Sequence, residues 1–128
     1  AVVAVGSSRD HVLLARIGRK LPIFEDGAAL VAGSQRFDRP GTGAIFITPN
    51  PEATERYLLV VTGVDAAGIW RALSLPQLLP DFLVYDERLG AAAAEVVLGR
   101  DARVLAGGFF DWDWKLPALL ADPEASAR

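Results

Sequence analysis

The sequence predicts a single α/β domain: a mixed, mostly buried β-sheet flanked by helices and carrying small β-hairpins. Three observations carry this expectation. Short apolar runs rich in β-branched residues recur, as in Val2-Val3-Ala4-Val5 and Leu58-Leu59-Val60-Val61. An amphipathic stretch follows the first run directly, and Gly, Pro and Asp punctuate the remainder every few residues. A chain of 128 residues that is 52% hydrophobic is long enough to bury one core. Residues 1–116 are read as the domain and 117–128, rich in Ala and acid, as a C-terminal tail.

Ala1-Val2-Val3-Ala4-Val5 ends at Gly6 and reads as a strand buried on both faces. After Gly6-Ser7-Ser8-Arg9-Asp10 the period changes. Val12, Leu13, Ile17 and Leu21 fall near one face of a helix, with Arg16, Arg19 and Lys20 opposite. Ser7, Ser8 or Asp10 can cap that helix, and Pro22 stops it. Residues 21–37 read as small β ribbons, with turns at Glu25-Asp26-Gly27 and Ala32-Gly33-Ser34. Two core strands follow, Ala44-Ile45-Phe46-Ile47-Thr48 and Tyr57-Leu58-Leu59-Val60-Val61-Thr62. The segment joining them is too short for a crossover helix, so the pair is expected to be antiparallel and the sheet mixed.

Asp65 is placed to cap a second helix over residues 66–73, with Ile69, Trp70 and Leu73 as its apolar face. Phe82-Leu83-Val84-Tyr85 reads as another buried strand. Residues 91–98 are open to two readings: four alanines favour helix, while Val96-Val97-Leu98 favours a hairpin with residues 103–107, the reading preferred here. Phe109-Phe110-Asp111-Trp112-Asp113-Trp114 is an aromatic and acidic bend. Phe82, Val84, Val60, Phe46 and Val3 are the expected core.

Charge narrows the partners. Thirteen basic against sixteen acidic residues give a net charge of −3, which provides no basic field to gather nucleic acid or anionic lipid. No apolar run approaches the length of a membrane-spanning helix. Zero Cys removes thiolate metal sites and Cys nucleophiles, and residue 1 is Ala in a chain without Met, so the sequence is expected to be a processed or excised piece.

Candidate chemistry is sparse. Serine catalysis needs a base, and the one histidine, His11, has no serine in a nucleophile-elbow context near it. No triad can be assembled, and no cofactor is implied. Asp111 and Asp113 alternate as ligands could, but Trp114 and Lys115 stand where a calcium loop needs oxygen and glycine, so these carboxylates are expected to bond nearby backbone amides. A stand-alone enzyme would have to bring Asp81, Asp86, Asp111 or Asp113 together as acid and base. Gly6, Ser7, Ser8, Arg9 and Asp10, between a strand and a helix, form a weak anion-binding candidate. Phe109, Trp112 and Trp114 are the candidate docking face for other domains or chains of a larger parent; Trp70 and Phe110 join them in the alternative of a sugar platform.

Four stretches taken in order also resemble a known family: residues 6–22, a small turn and a helix ending in Leu21-Pro22; Pro49-Asn50-Pro51 leading to Arg56-Tyr57-Leu58-Leu59-Val60-Val61-Thr62-Gly63; Leu79-Pro80-Asp81-Phe82-Leu83-Val84-Tyr85-Asp86; and Ala106-Gly107-Gly108-Phe109-Phe110-Asp111-Trp112-Asp113-Trp114. Together they resemble the C-terminal accessory α/β domain of large secreted bacterial hydrolases of the prolyl-oligopeptidase or esterase type. Trp112 is an extra aromatic relative to that pattern, and Pro51-Glu52-Ala53-Thr54 has shorter side chains. The resemblance implies a secreted or periplasmic, multidomain parent whose upstream domain holds the triad, and it assigns no catalytic residue to this chain. The expected function is a non-catalytic accessory or docking domain; the alternative is a small-molecule or anion-binding domain that uses the turn from Gly6 to Asp10.

Overall fold

A computed structural model describes residues 2–75, 79–88 and 104–117. Strands dominate it. In chain order the elements are β1 (Val2–Val5), α1 (Val12–Ile17), β2 (Ile23–Asp26), β3 (Ala29–Ala32), β4 (Gln35–Phe37), β5 (Gly43–Asn50), β6 (Ala53–Gly63), α2 (Ala66–Trp70), β7 (Phe82–Tyr85) and β8 (Val104–Gly108). One sheet runs β1-β6-β5-β7-β8 and a smaller one β2-β3-β4. Among the described residues only β1 and β6 are parallel, and every other pair is antiparallel. The fold is therefore a mixed, sheet-dominated one rather than a sheet flanked by substantial helices. α1 spans six residues before a 3-10 turn at Gly18–Lys20, and α2 spans five before another at Arg71–Ser74. Helices this short depend on packing for their stability.

The local reasons match the sequence closely between residues 21 and 65. Gly27 and Gly33 take positive φ at the two ribbon turns, a conformation that costs glycine little. β5 and β6 are joined by Pro51 and Glu52 alone, and Asn50 Oδ1 accepts the Glu52 amide at 2.9 Å, so the return must be antiparallel. Pro49 is tolerated inside β5 because pairing with β7 runs only from Gly43 to Phe46, and the β6 register shifts between Pro49 and Asn50. Asp65 caps α2, its Oδ1 accepting the Gly68 amide at 2.8 Å while Oδ2 accepts that of Gly41 at 3.0 Å. The partner strand expected from residues 96–98 lies outside the described residues, as do residues 118–128 of the tail.

Among the described residues two clusters make the core. On one face of the large sheet, Ala4, Leu58, Val60, Ala44, Phe46, Phe82, Val84 and Ala106 pack under Leu14, Ile17, Leu21, Ile23 and Leu30 from α1 and the small sheet. On the other face Leu83 and Tyr85 are covered by Ala72, Leu75 and Leu79. Three sequence expectations are corrected here. Val3 is 60% exposed because β1 is the edge strand among the described residues, and the side chains that cover this face, Ala72, Leu75 and Leu79, pack on Leu83 and Tyr85 of β7. Val12 points to solvent, and Leu14 and Ile17 bury α1 instead. Trp70 and Leu73 are exposed at 69% and 78%, and Gly68 is the buried residue of α2. The helix lies so close to the sheet that only a residue without a side chain fits at the contact.

Candidate functional site

The turn after β1 is filled from within. Ser7 is buried; its carbonyl accepts the amides of Asp10 and His11 at 3.1 and 2.9 Å, and its Oγ accepts that of Arg9 at 3.2 Å. The Ser8 amide donates to a Glu25 carboxylate oxygen. All four amides from Ser8 to His11 thus have partners, and the anion beside Ser8 is the protein's own Glu25. His11, not Ser7, Ser8 or Asp10, is the residue preceding α1, and no side-chain cap bond is made. The Ser7 hydroxyl donates to Asp10 Oδ2 at 3.2 Å, while His11 Nδ1 is buried without a hydrogen-bond partner. Between α1 and β2 lies a cavity of about 180 Å³ lined by Ser8, Glu25 and Thr62, a space of a few waters.

The four acids divide between two ends of β7. Asp86 follows the strand, fully buried, with Arg88 Nε at 3.0 Å and Arg39 Nε at 3.4 Å. Burial alone would push its carboxyl up, but hydrogen bonds and charge from Arg88, helped by Arg39, hold it below the ordinary range. This is a structural clamp on the chain leaving β7. Asp81 precedes the strand, and its Oδ2 accepts the Phe110 amide at 3.1 Å, tying the start of β7 to the end of β8. Asp111 Oδ1 accepts the amides of Asp113 and Lys115 at 2.8 and 2.9 Å, the backbone role expected for it. Asp81 and Asp111 share the lining of one pocket, whereas Asp86 stands a strand length away, roughly 15 Å by the rise per residue.

The aromatic bend is divided too. Trp112 is 100% exposed and Phe109 is 58% exposed. Trp114 turns inward, its ring 5.5 Å from that of Tyr57 and 6.1 Å from that of Phe110, which itself lies 5.2 Å from Phe82. Its backbone has φ of 62°, the one positive value outside glycine among the described residues. A bulky residue there is strained by roughly 1–2 kcal/mol. Trp114 thus anchors the bend to the sheet, while Phe109 and Trp112 face out.

One surface was not anticipated from sequence. Val5, Val61 and Ile45 form the floor, and Ile69, Trp70 and Leu73 the wall, of an apolar groove of about 410 Å³ on the face of the large sheet that carries α2. Beside it β1 offers an edge. The Gly6 amide bonds to Val61 O at 3.0 Å, and alternation along the strand then turns the N–H and C=O groups of Val3 and Val5 outward. The signal in the sequence is β1 itself, an apolar run with no charged residue to protect an edge, which reads equally well as a central strand.

No protein-family model, curated protein or solved structure matches this chain. Among the described residues no helix is long and apolar enough to cross a membrane.

Proposed function

We propose that this chain is a non-catalytic docking or accessory domain of a larger, exported, bacterial hydrolase-type protein, and that the neighbouring domain of that parent covers the open half of its large sheet. One observation carries the reading: Val3, Val5, Trp70 and Leu73 are 52% to 78% exposed around one continuous apolar groove beside a strand edge that no other described strand pairs with. Isolated exposed apolar residues are ordinary, but a contiguous patch on a sheet face marks a contact surface. The class of parent rests on the sequence resemblance. The anion-binding alternative has less support, because every amide from Ser8 to His11 already has an internal partner.

Val5→Asp combined with Leu73→Asp tests the reading. Both side chains are more than half exposed, so the isolated chain should lose no more than about 1 kcal/mol of stability for the two substitutions together. The pair should nonetheless abolish binding of an apolar fluorescent dye to the chain and its association with the separately produced remainder of the parent. Unchanged association would sink the proposal. So would turnover of activated esters or peptide anilides by the purified chain that survives His11→Ala.

A further inference from the structure

We infer that the bend following β8 is a socket for a guanidinium group, an arginine side chain presented by the docking partner; this rests on the docking reading above and adds the chemistry of one contact. The socket is a pocket of about 290 Å³ whose walls are Phe110, Trp112 and Trp114 and whose polar lining is Asp81 and Asp111. Each carboxylate gives one oxygen to backbone amides, Asp81 Oδ2 to Phe110 and Asp111 Oδ1 to Asp113 and Lys115. The other oxygens, Asp81 Oδ1 and Asp111 Oδ2, have no hydrogen bond or ion pair among the described residues. Asp26, Glu52 and Asp86, by contrast, each hold an arginine. Asp113 and Lys115 are the remaining charged groups of the bend but line a separate pocket, so the charge of this one comes from its two carboxylates.

The frame is built in advance of any ligand. The Asp111 amide bonds to Lys115 O and the Trp114 amide to Asp111 O, both at 3.0 Å, closing the bend into a ring that keeps Trp114 at its positive φ. Trp112 stands fully in water, with neither ring face covered. Aromatic faces attract cations, and a planar, weakly hydrated guanidinium can lie on a ring while it hydrogen-bonds to a carboxylate beside it. The chain uses the same combination internally: Arg19 lies 5.1 Å above the Phe24 ring with its Nη2 3.2 Å from Asp26 Oδ1. A sugar would also stack on Trp112, but it would leave both carboxylates without a counter-charge.

The test is an NMR titration of the 128-residue chain that follows the indole N–H signals of its three tryptophans. Trp70 lies on the apolar groove and serves as the internal control. The probes are a blocked Gly-Arg-Gly peptide, its neutral citrulline counterpart, tetramethylammonium chloride and a simple glucoside. The arginine peptide should shift Trp112 and Trp114 saturably and leave Trp70 still, and high salt should weaken it. Citrulline should bind at least about tenfold more weakly. Asp81→Asn with Asp111→Asn should lower affinity by a similar factor with the fold intact, because asparagine keeps the acceptor oxygen that each backbone bond needs. Equal binding of citrulline, an unaffected double variant, a preference for tetramethylammonium or the glucoside, or shifts shared by Trp70 would each overturn the assignment. The docking reading fails on separate residues, Val5 and Leu73, so the two failures are distinguishable.

Discussion

Replacing Gly68 by alanine sets two effects of opposite sign against each other. Alanine inside a helix is ordinarily favoured over glycine by about 1 kcal/mol. At Gly68 a Cβ would stand 2.8 Å from the Thr42 carbonyl carbon, closer still to its oxygen, and 3.3 Å from the Gly43 amide nitrogen. Atoms in ordinary contact sit about 3.5–4.0 Å apart, so α2 must retreat by roughly 1 Å, and a gap of that size forfeits a quarter to a half of each dispersion contact along the interface. The retreat also stretches the 3.0 Å hydrogen bond from Tyr85 Oη to Gly68 O, worth about 1 kcal/mol. With overpacking costing about 1–3 kcal/mol and the hydrogen-bond loss offsetting the helix-propensity gain, the clash wins and the net loss should be about 1–3 kcal/mol. Gly18 is the matched control: it has right-handed helical dihedrals, φ −49° and ψ −46°, and nothing within 4 Å of a Cβ, so Gly18→Ala should stabilise by about 0.5–1 kcal/mol. Urea unfolding followed by circular dichroism reads both. A Gly68→Ala protein as stable as the parent would refute the close packing of α2 on the sheet.

Other outcomes follow from the same core. Phe46, 1% exposed on the strand between β6 and β7, should cost about 3–5 kcal/mol when truncated to alanine, and a loss under about 1 kcal/mol in the same assay would show that β5 is not central. Burial lifts the Tyr85 phenol above its ordinary range against the opposing charge of Arg71, so the folded state keeps a proton that the unfolded chain releases near pH 10. Stability should be independent of this group below that pH and fall by up to about 1.4 kcal/mol per unit above it. Tyr85→Phe should remove this part of the alkaline loss, at a cost of roughly 1–2 kcal/mol at neutral pH for the bond to Gly68 O, and unchanged alkaline unfolding would contradict the burial.

What the sequence determined by itself was whatever depends on neighbours a few residues away. The apolar period marked the strands β5, β6 and β7, the short segment between residues 48 and 57 set the antiparallel sense of β5 and β6, and Asp65 three residues before Gly68 set the start of α2, whereas only the structure extends both strands to leave Pro51 and Glu52 alone as the return. Gly27 and Gly33 marked the turns of the small sheet. Tertiary structure decided which faces are covered, because an apolar run looks the same at the centre of a sheet and at its edge. Val2-Val3-Ala4-Val5 has the composition of a central strand, yet only Ala4 is buried, since β1 has β6 on one side and nothing in the described chain on the other. The same holds for polar groups. Nothing local shows that Glu25, seventeen residues along, meets the Ser8 amide, or that Asp81 reaches Phe110 across twenty-nine residues and shares a pocket with Asp111. These are long-range pairings, set by strand order and register, and the turn at Ser8, the bend at Trp112 and the groove beside β1 took their character from them.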